Sequence, residues 1–250
     1  MIIYGPVASW RLGKSLGIDL ISCQKTCSFD CVYCQLGKTV HKIAERRIFV
    51  NDNVAKNELD KFPWNSVAVD VITFSGMGEP TLAKNLGNVA RYAKKFGKPI
   101  AILTNSSLFS YEDVQKDLEN VDWIIAKLDA SDDKICKKIN RPHEKIKFDE
   151  MVDYMKEIAS KAKKFSLQMM FIEENKNYAE EMASLAKEIK ADEIQINTPL
   201  RKSPVAPLSK EELFEIEGAF SGLNTINVYS SPKPEVKPLN YEEVKRRRPE

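Results

Sequence analysis

Cys27-Ser28-Phe29-Asp30-Cys31-Val32-Tyr33-Cys34 sets three cysteines at the spacing C-x3-C-x2-C. A loop this short can wrap three thiolates around one face of a cubane [4Fe–4S] cluster. Such clusters ordinarily take four cysteine ligands, so three leave one iron open to a small ligand. A structural zinc site would ask for four protein ligands, often as two C-x2-C pairs. There is no second pair, and His41 and His143 do not stand at finger spacing. A disulfide framework is out of keeping with a chain of 250 residues without secretory features.

On either side of this loop the chain alternates strand and helix patterns. Residues 17–22 alternate apolar and polar side chains as a first strand would. Residues 1–16, broken by Gly5-Pro6, predict a folded loop or short strand leading in. Further strands are expected at 67–75, 99–104, 123–128, 165–172 and 193–197, with a short last one at 225–229. Helices are expected at 51–62, capped near Asn51 or Asp52, and at 81–96, 111–119, 132–139, 148–163, 178–189 and 210–219. This alternation implies parallel β/α units with right-handed crossovers. The predicted fold class is α/β, an open six-stranded partial (β/α)6 TIM-like barrel over residues 1–229. A closed eight-stranded barrel typically needs ~250 residues for the barrel alone. Residues 230–250 form a Pro/Lys/Arg-rich C-terminal tail, predicted as an extended arm with a short helix at 241–247 and solvated arginines at 246–248.

Hydrophobic content of 43% and charged content of 30% argue for a soluble globular protein. The net charge of +2 gives no bulk argument for nucleic acid. No apolar run approaches the ~18–20 residues of a membrane helix, so no membrane partner is expected. The start, Met1-Ile2-Ile3-Tyr4-Gly5-Pro6, lacks the basic region and apolar core of a signal peptide. The expected location is cytoplasmic, and the cysteine usage fits a reducing compartment.

The residues suited to chemistry follow the strands, as they do in barrels of this kind. Gly76-Met77-Gly78-Glu79-Pro80 links a strand to a helix; glycine permits close backbone approach, and a carboxylate beside peptide groups can bind an ammonium. Thr104-Asn105-Ser106 ends the third strand and would serve equally as a cap or turn. Lys127 and Asp129 flank Leu128 at the end of the fourth and would serve equally as a surface ion pair. Arg141, in Asn140-Arg141-Pro142-His143, offers a fork suited to a carboxylate. Gln195, Asn197 and Thr198 finish the sixth strand.

A cysteine loop followed by this glycine motif resembles the radical S-adenosylmethionine (SAM) superfamily. The resemblance implies a [4Fe–4S] cluster on Cys27, Cys31 and Cys34, with the amino and carboxylate groups of SAM on the open iron. Tyr33 stands where an aromatic residue is usual. Residues 76–79 stand for the motif that holds the methionine amino group, with Met77 where that motif has its second glycine. By the same resemblance Thr104 and Asn105 line the SAM pocket, Lys127 reaches the carboxylate and Asp129 a ribose hydroxyl. Arg141 joins the cofactor contacts, and Gln195, Asn197 and Thr198 reach adenine or ribose.

From about residue 4 to 202 the similarity is closer. Gly5-Pro6-Val7, Arg11-Leu12-Gly13-Lys14-Ser15-Leu16-Gly17, Lys25-Thr26-Cys27, Cys31-Val32-Tyr33-Cys34-Gln35-Leu36-Gly37, Ala126-Lys127-Leu128-Asp129-Ala130 and Asn140-Arg141-Pro142-His143 resemble small prokaryotic radical SAM proteins described as related to the tRNA wyosine-synthesis enzymes. Trp10 departs from the arginine expected there. The resemblance implies an oxidoreductase- or lyase-type enzyme that cleaves SAM reductively to a 5′-deoxyadenosyl radical for hydrogen abstraction. It also implies an external one-electron donor of the flavodoxin or ferredoxin type. Wyosine synthesis resembles a reaction needing a second cluster, for which only Cys23 and Cys136 remain; Cys23 reads as an inert buried thiol. The expected substrate is tRNA, seated by Lys38, Lys42, Arg46, Arg47 and the tail arginines, ahead of a peptide or small molecule. The alternatives are an iron–sulfur electron-transfer or sensing module that does not cleave SAM, and an activase of a partner protein.

Overall fold

The computed structural model describes residues 1–21 and 24–249. The chain opens with the hairpin of β1 (Ile3–Ser9) and β2 (Gly13–Ile18). A two-stranded ladder, β3 (Thr26–Cys27) with β4 (His41–Lys42), frames the cysteine loop. Then come β5 (Val71–Phe74), β6 (Ile100–Thr104), β7 (Trp123–Lys127), β8 (Phe165–Met170), β9 (Glu193–Asn197) and β10 (Thr225–Asn227). The helices are α1 (Asp52–Lys61), α2 (Leu86–Ala93), α3 (Glu112–Leu118), α4 (Asp133–Ile139), α5 (Phe148–Lys161), α6 (Ala179–Ile189), α7 (Lys210–Gly218) and α8 (Tyr241–Arg247). The main sheet runs β1-β2-β5-β6-β7-β8-β9-β10; β1 is antiparallel to β2 and every later pairing is parallel. β1 and β10 are not paired with each other, so the sheet curls into an open partial barrel.

The expected architecture stands, with the lead-in segment forming β1 at one edge and the expected short last strand forming β10 at the other. Pro6 fits within β1 because that strand pairs on one side only, across a bulge between Tyr4 and Val7. The next strand begins four residues earlier than the alternation predicts. The Lys14 amide donates to Asp70 Oδ2 at 2.7 Å and the Asp70 amide to the Lys14 carbonyl at 2.9 Å, drawing β2 alongside the entry to β5. At Gly13, φ +67°, a β-carbon would sit 2.4 Å from Asp70 Oδ2, so this start requires glycine. Asp19 Oδ1 accepts from the Ile21 amide at 3.1 Å and turns the chain out of the sheet.

The two faces of the sheet differ in chemistry, as alternation demands. Leu16, Ile72, Phe74, Ile102, Leu167 and Ile196 point outward and pack with Leu59, Val89, Met155 and Met182 of the helices in one core. At about 1.5–3 kcal/mol per buried large apolar side chain, this face carries most of the stability. The inward face holds Ser15, Thr73, Lys127 and Gln168 around a cavity. A small apolar plug of Leu12, Val71, Ala101 and Ile125 sits at the N-terminal end of the strands.

Two expectations about basic residues are corrected here. Arg46 is not on the rim: its side chain is 3% exposed, pairs with Asp113 and Asp117 at 2.5 Å, and donates to the carbonyls of Thr81 (2.8 Å) and Ala83 (2.9 Å). The Ala83 carbonyl also takes the Leu86 amide at 3.2 Å, a three-residue turn rather than an α-helical bond. The helix expected over 81–96 accordingly breaks into a 3-10 turn at Pro80–Leu82, then α2, then a second 3-10 turn at Lys94–Phe96. In the tail, Arg247 is buried rather than solvated: it pairs with Asp19, Nε to Oδ2 at 2.7 Å, and donates to the Met1 carbonyl at 2.8 Å. The Leu239 amide bonds to the Gly5 carbonyl at 2.9 Å, and Asn240 caps α8 through the Glu243 amide, so the tail is docked on β1. Among the described residues no helix is long and apolar enough to cross a membrane.

Candidate active site at the mouth of the barrel

The cysteine loop sits over the C-terminal ends of the strands. The Asp30 and Val32 amides bond to the carbonyls of Asn140 (3.0 Å) and Ile139 (2.9 Å) at the end of α4. Tight turns close from Cys31 to Cys34 (3.1 Å) and from Cys34 to Gly37 (3.0 Å). All three cysteines are half-buried and line one cavity of about 440 Å³. Two sulfurs already receive N–H donors: Cys27 Sγ from the Phe29 amide (3.4 Å) and Asn105 Nδ2 (3.6 Å), Cys31 Sγ from Asn140 Nδ2 (3.4 Å). Burial pushes the Cys27 and Cys31 thiols up, Cys31 to about 11; a coordinated metal would deprotonate them outright. Among the described residues no three His, Cys, Asp or Glu side chains converge on a single ion. A cubane cluster does not require such convergence, because each thiolate takes its own iron.

The glycine motif is bound edge-on to this loop. The Thr26 amide donates to the Met77 carbonyl at 3.0 Å, and the Glu79 amide to the Thr26 carbonyl at 3.2 Å. At Gly78 a β-carbon would lie 1.6 Å from the Thr26 carbonyl oxygen, so only glycine permits this approach. Glu79 is thus delivered beside Cys27 with 2% of its surface exposed. Its Oε1 accepts from the Thr81 amide (3.0 Å), Thr81 Oγ1 (2.7 Å) and Thr104 Oγ1 (2.6 Å), and its Oε2 from the Asn105 amide (2.7 Å). Burial raises the Glu79 pKa, and these hydrogen bonds oppose the rise. Oε2 has one donor where a carboxylate oxygen can take two, and the side chain is part of the cavity wall. The residues present therefore fit both groups: three cysteines with donors to two of their sulfurs, and a carboxylate with capacity for an ammonium.

Of the residues singled out in the sequence, Tyr33, Gly76, Gly78, Glu79, Thr104, Asn105, Lys127, Asn197 and Thr198 line the cavity with Cys27, Cys31 and Cys34. Met77, Asp129, Arg141 and Gln195 do not. Asp129 is a buried hub: Oδ2 accepts from the Tyr33 hydroxyl and Asn140 Nδ2 (2.8 Å), and Oδ1 from the Met170 amide (2.8 Å). Its carboxylate orients Tyr33. Lys127 Nζ lies 3.7 Å from Asp129, donates to Gln168 Oε1 at 3.0 Å and sits over the Tyr33 ring, so it is not a surface ion pair. Arg141 is exposed with a left-handed backbone, φ 48°. Gln195 is buried, its amide donating to Glu193 at 2.9 Å. Cys136 is buried at α4 and its thiol is pushed up to about 12, the state of an inert thiol. Cys23 lies outside the described residues.

Ser75, Gln168 and Met170, together with Arg11, Arg201 and Arg248, also line the cavity and were not expected to. Period-two alternation along β8 would have found Gln168 and Met170. The arginines carry no local signal, because Arg248 reaches the cavity only through the docking of the tail.

A family profile described as the radical SAM superfamily matches residues 21–186. A UPF0026 protein of Methanocaldococcus jannaschii is 40% identical over 206 residues, covering 80% of this chain and 64% of that protein. A UPF0026 protein of Synechocystis is 41% identical over 210 residues, covering 81% of this chain and 77% of its own length. The chain thus spans just under two thirds of the first relative. Among solved structures, SuiB of Streptococcus suis bound to S-adenosylmethionine superposes with a TM-score of 0.65 at 15% identity, over 86% of this chain and 50% of that one. Archaeal TYW1 superposes with a TM-score of 0.57 at 15% identity, over 84% of this chain and 72% of that one. At these identities the two structures speak for the fold alone.

Proposed function

This chain belongs to the radical SAM superfamily and to the UPF0026 family, and we propose that it is an enzyme that binds a [4Fe–4S] cluster through Cys27, Cys31 and Cys34 and cleaves SAM reductively. The observation that carries the proposal is that the three thiols and the Glu79 carboxylate, from separate parts of the sequence, open onto one cavity. Held by these residues, the cluster and SAM would supply one-electron reductive cleavage of SAM and, through it, hydrogen-atom abstraction from a substrate.

The chain's own residues bind and orient. Glu79 Oε2 accepts from the methionine ammonium, held in place by the Thr81, Thr104 and Asn105 donors. Asn105 and Asn140 donate to cysteine sulfurs and so bear on the cluster potential. Lys127 supplies a cation to a carboxylate, and Asn197 and Thr198 supply polar groups to the nucleoside. The barrel wall would keep water from the reacting groups in the cavity. The electron comes from an external flavodoxin- or ferredoxin-type donor, in a reducing cytoplasm. Residues 1–229 form the barrel, and 230–250 dock on it and bring Lys233 and Arg248 to the cavity. For tRNA as substrate, the exposed Lys38, Lys42 and Arg47 remain the only cluster-side motive, since Arg46 is internally paired.

Anaerobic reconstitution should give about four iron and four sulfide per chain, and dithionite should then yield 5′-deoxyadenosine and methionine from SAM. The Cys27→Ala, Cys31→Ala, Cys34→Ala triple variant should lose both. A cluster without SAM cleavage would instead mark an electron-transfer or sensing module.

A further inference from the structure

The gap between the two sheet edges is spanned by the C-terminal segment. It leaves β10 at Asn227, reaches β1 at the Leu239–Gly5 hydrogen bond, and continues into α8, fastened by the buried Arg247–Asp19 pair. On this path Lys233 and Arg248 become part of the cavity wall. Among the described residues, seven lysines and arginines line the cavity against a single carboxylate residue, Glu79, although the whole chain carries a net charge of only +2.

We propose that Arg11, Arg201, Lys233 and Arg248 form a site for the anionic group, carboxylate or phosphate, of a small-molecule substrate. The proposal rests on reading the chain as a SAM-cleaving enzyme and adds its substrate class. Arg11 is preorganised: its guanidinium stacks 4.9 Å from the centre of the Trp10 ring, and its Nε is buried with no hydrogen-bond partner. Gln168, 8% exposed and on the cavity wall, gives its Oε1 to Lys127 and keeps Nε2 unpartnered. Its register neighbour Gln195 also keeps an unpartnered oxygen, but that residue is not on the cavity wall. These unsatisfied groups on the wall are donors, and their complement is an acceptor-rich anion.

The charges agree with this. Burial, together with the nearby Arg248 and Arg201, lowers the Arg11 pKa to about 9 against an opposing pull from Glu193. Burial likewise lowers Arg248. Cations held together against their own repulsion are a site preorganised for an anion. Arg247, by contrast, is neutralised by Asp19 and Glu243 and serves only to fix its neighbour. A small molecule fits better than a polymer, because the segment lies across the open side and a cavity of about 440 Å³ falls in the ~300–1,000 Å³ range of small-ligand pockets.

The test is calorimetric titration of the full chain, before and after cluster reconstitution, with inorganic phosphate and with succinate at low salt. One of the two probes should bind at a single site, which tells phosphate from carboxylate. Arg248→Gln and Arg11→Gln should each weaken it roughly tenfold or more. Arg248 is half-exposed, so its variant should fold even if the Arg11 variant does not, as a melting curve would show. Binding of neither probe, or equal binding by both folded variants, would overturn the proposal. So would a matching loss of SAM affinity in both variants, which would assign the cations to SAM's own carboxylate. Displacement of the probe by bulk tRNA, with tRNA binding weakened by Arg248→Gln, would overturn it in favour of RNA. Anion binding at these residues in a chain that fails to cleave SAM would leave the site standing and remove the reading on which its substrate role rests.

Discussion

The guanidinium of Arg247 lies against the carboxylate of Asp19, Nε to Oδ2 at 2.7 Å, with side-chain exposures of 0% and 1%. The two residues join the far end of the chain to the end of β2. Breaking a buried pair by removing one partner costs about 3–5 kcal/mol, but here Asp19 can regain water if the tail lifts. Arg247→Met should therefore show first as undocking: trypsin should cut after Lys245 and Arg246, in the released α8, well before the barrel unfolds. A cleavage pattern identical to wild type would show that the pair does not anchor the segment.

Gly78→Ala should damage the cluster loop rather than the barrel. The added methyl would meet the Thr26 carbonyl at 1.6 Å, a backbone atom that cannot rotate away. The strain, about 1–3 kcal/mol, falls on the pairing of residues 77–79 with Thr26 just before Cys27. The variant should keep its helical circular dichroism and lose iron on reconstitution. Full iron content would refute the coupling.

Arg46→Leu should destabilise the fold without affecting phosphate contacts. Asp117 would be left half-buried and the Thr81 carbonyl would lose its Arg46 donor, whereas the Ala83 carbonyl keeps the Leu86 amide and Asp113 is 58% exposed and can rehydrate. The expected loss lies at the low end of about 3–5 kcal/mol, read from urea unfolding. For any RNA the chain binds, Arg46→Leu should leave the salt slope unchanged, while Arg47→Ala should reduce it by about 1.

Asn140→Ser should make the cluster potential more negative. Asn140 Nδ2 donates to Cys31 Sγ, and N–H donors to cluster sulfurs stabilise the reduced, more negative state. Redox titration followed by electron paramagnetic resonance measures it. An unchanged or more positive potential would remove Asn140 from this role.

What was legible in the sequence was local or periodic. The cysteine spacing, the Asn51 cap confirmed by its bond to the Asn53 amide at 2.9 Å, and the strand runs are patterns within a few residues. Tyr33, Glu79, Thr104 and Lys127 were found because they end strands or sit in motifs, and the barrel brings strand ends together. Arg46, Asp129 and Arg247 were misjudged for a shared reason: each is a charge satisfied by partners far along the chain. Asp117 is 71 residues from Arg46, Tyr33 is 96 from Asp129, and Asp19 is 228 from Arg247. No window of sequence shows such a partner, so each was assigned to solvent or ligand by default.

The division of the strands between an apolar outer face and a polar inner face has an evolutionary consequence. Neighbouring residues answer to different selective pressures: Leu16, Ile72 and Leu167 to folding, and Ser15, Thr73 and Gln168 to what the cavity admits. Drift at the second set can retune ligand choice while the first stays fixed. Relatives could then share this scaffold closely and yet diverge in chemistry through substitutions one residue apart.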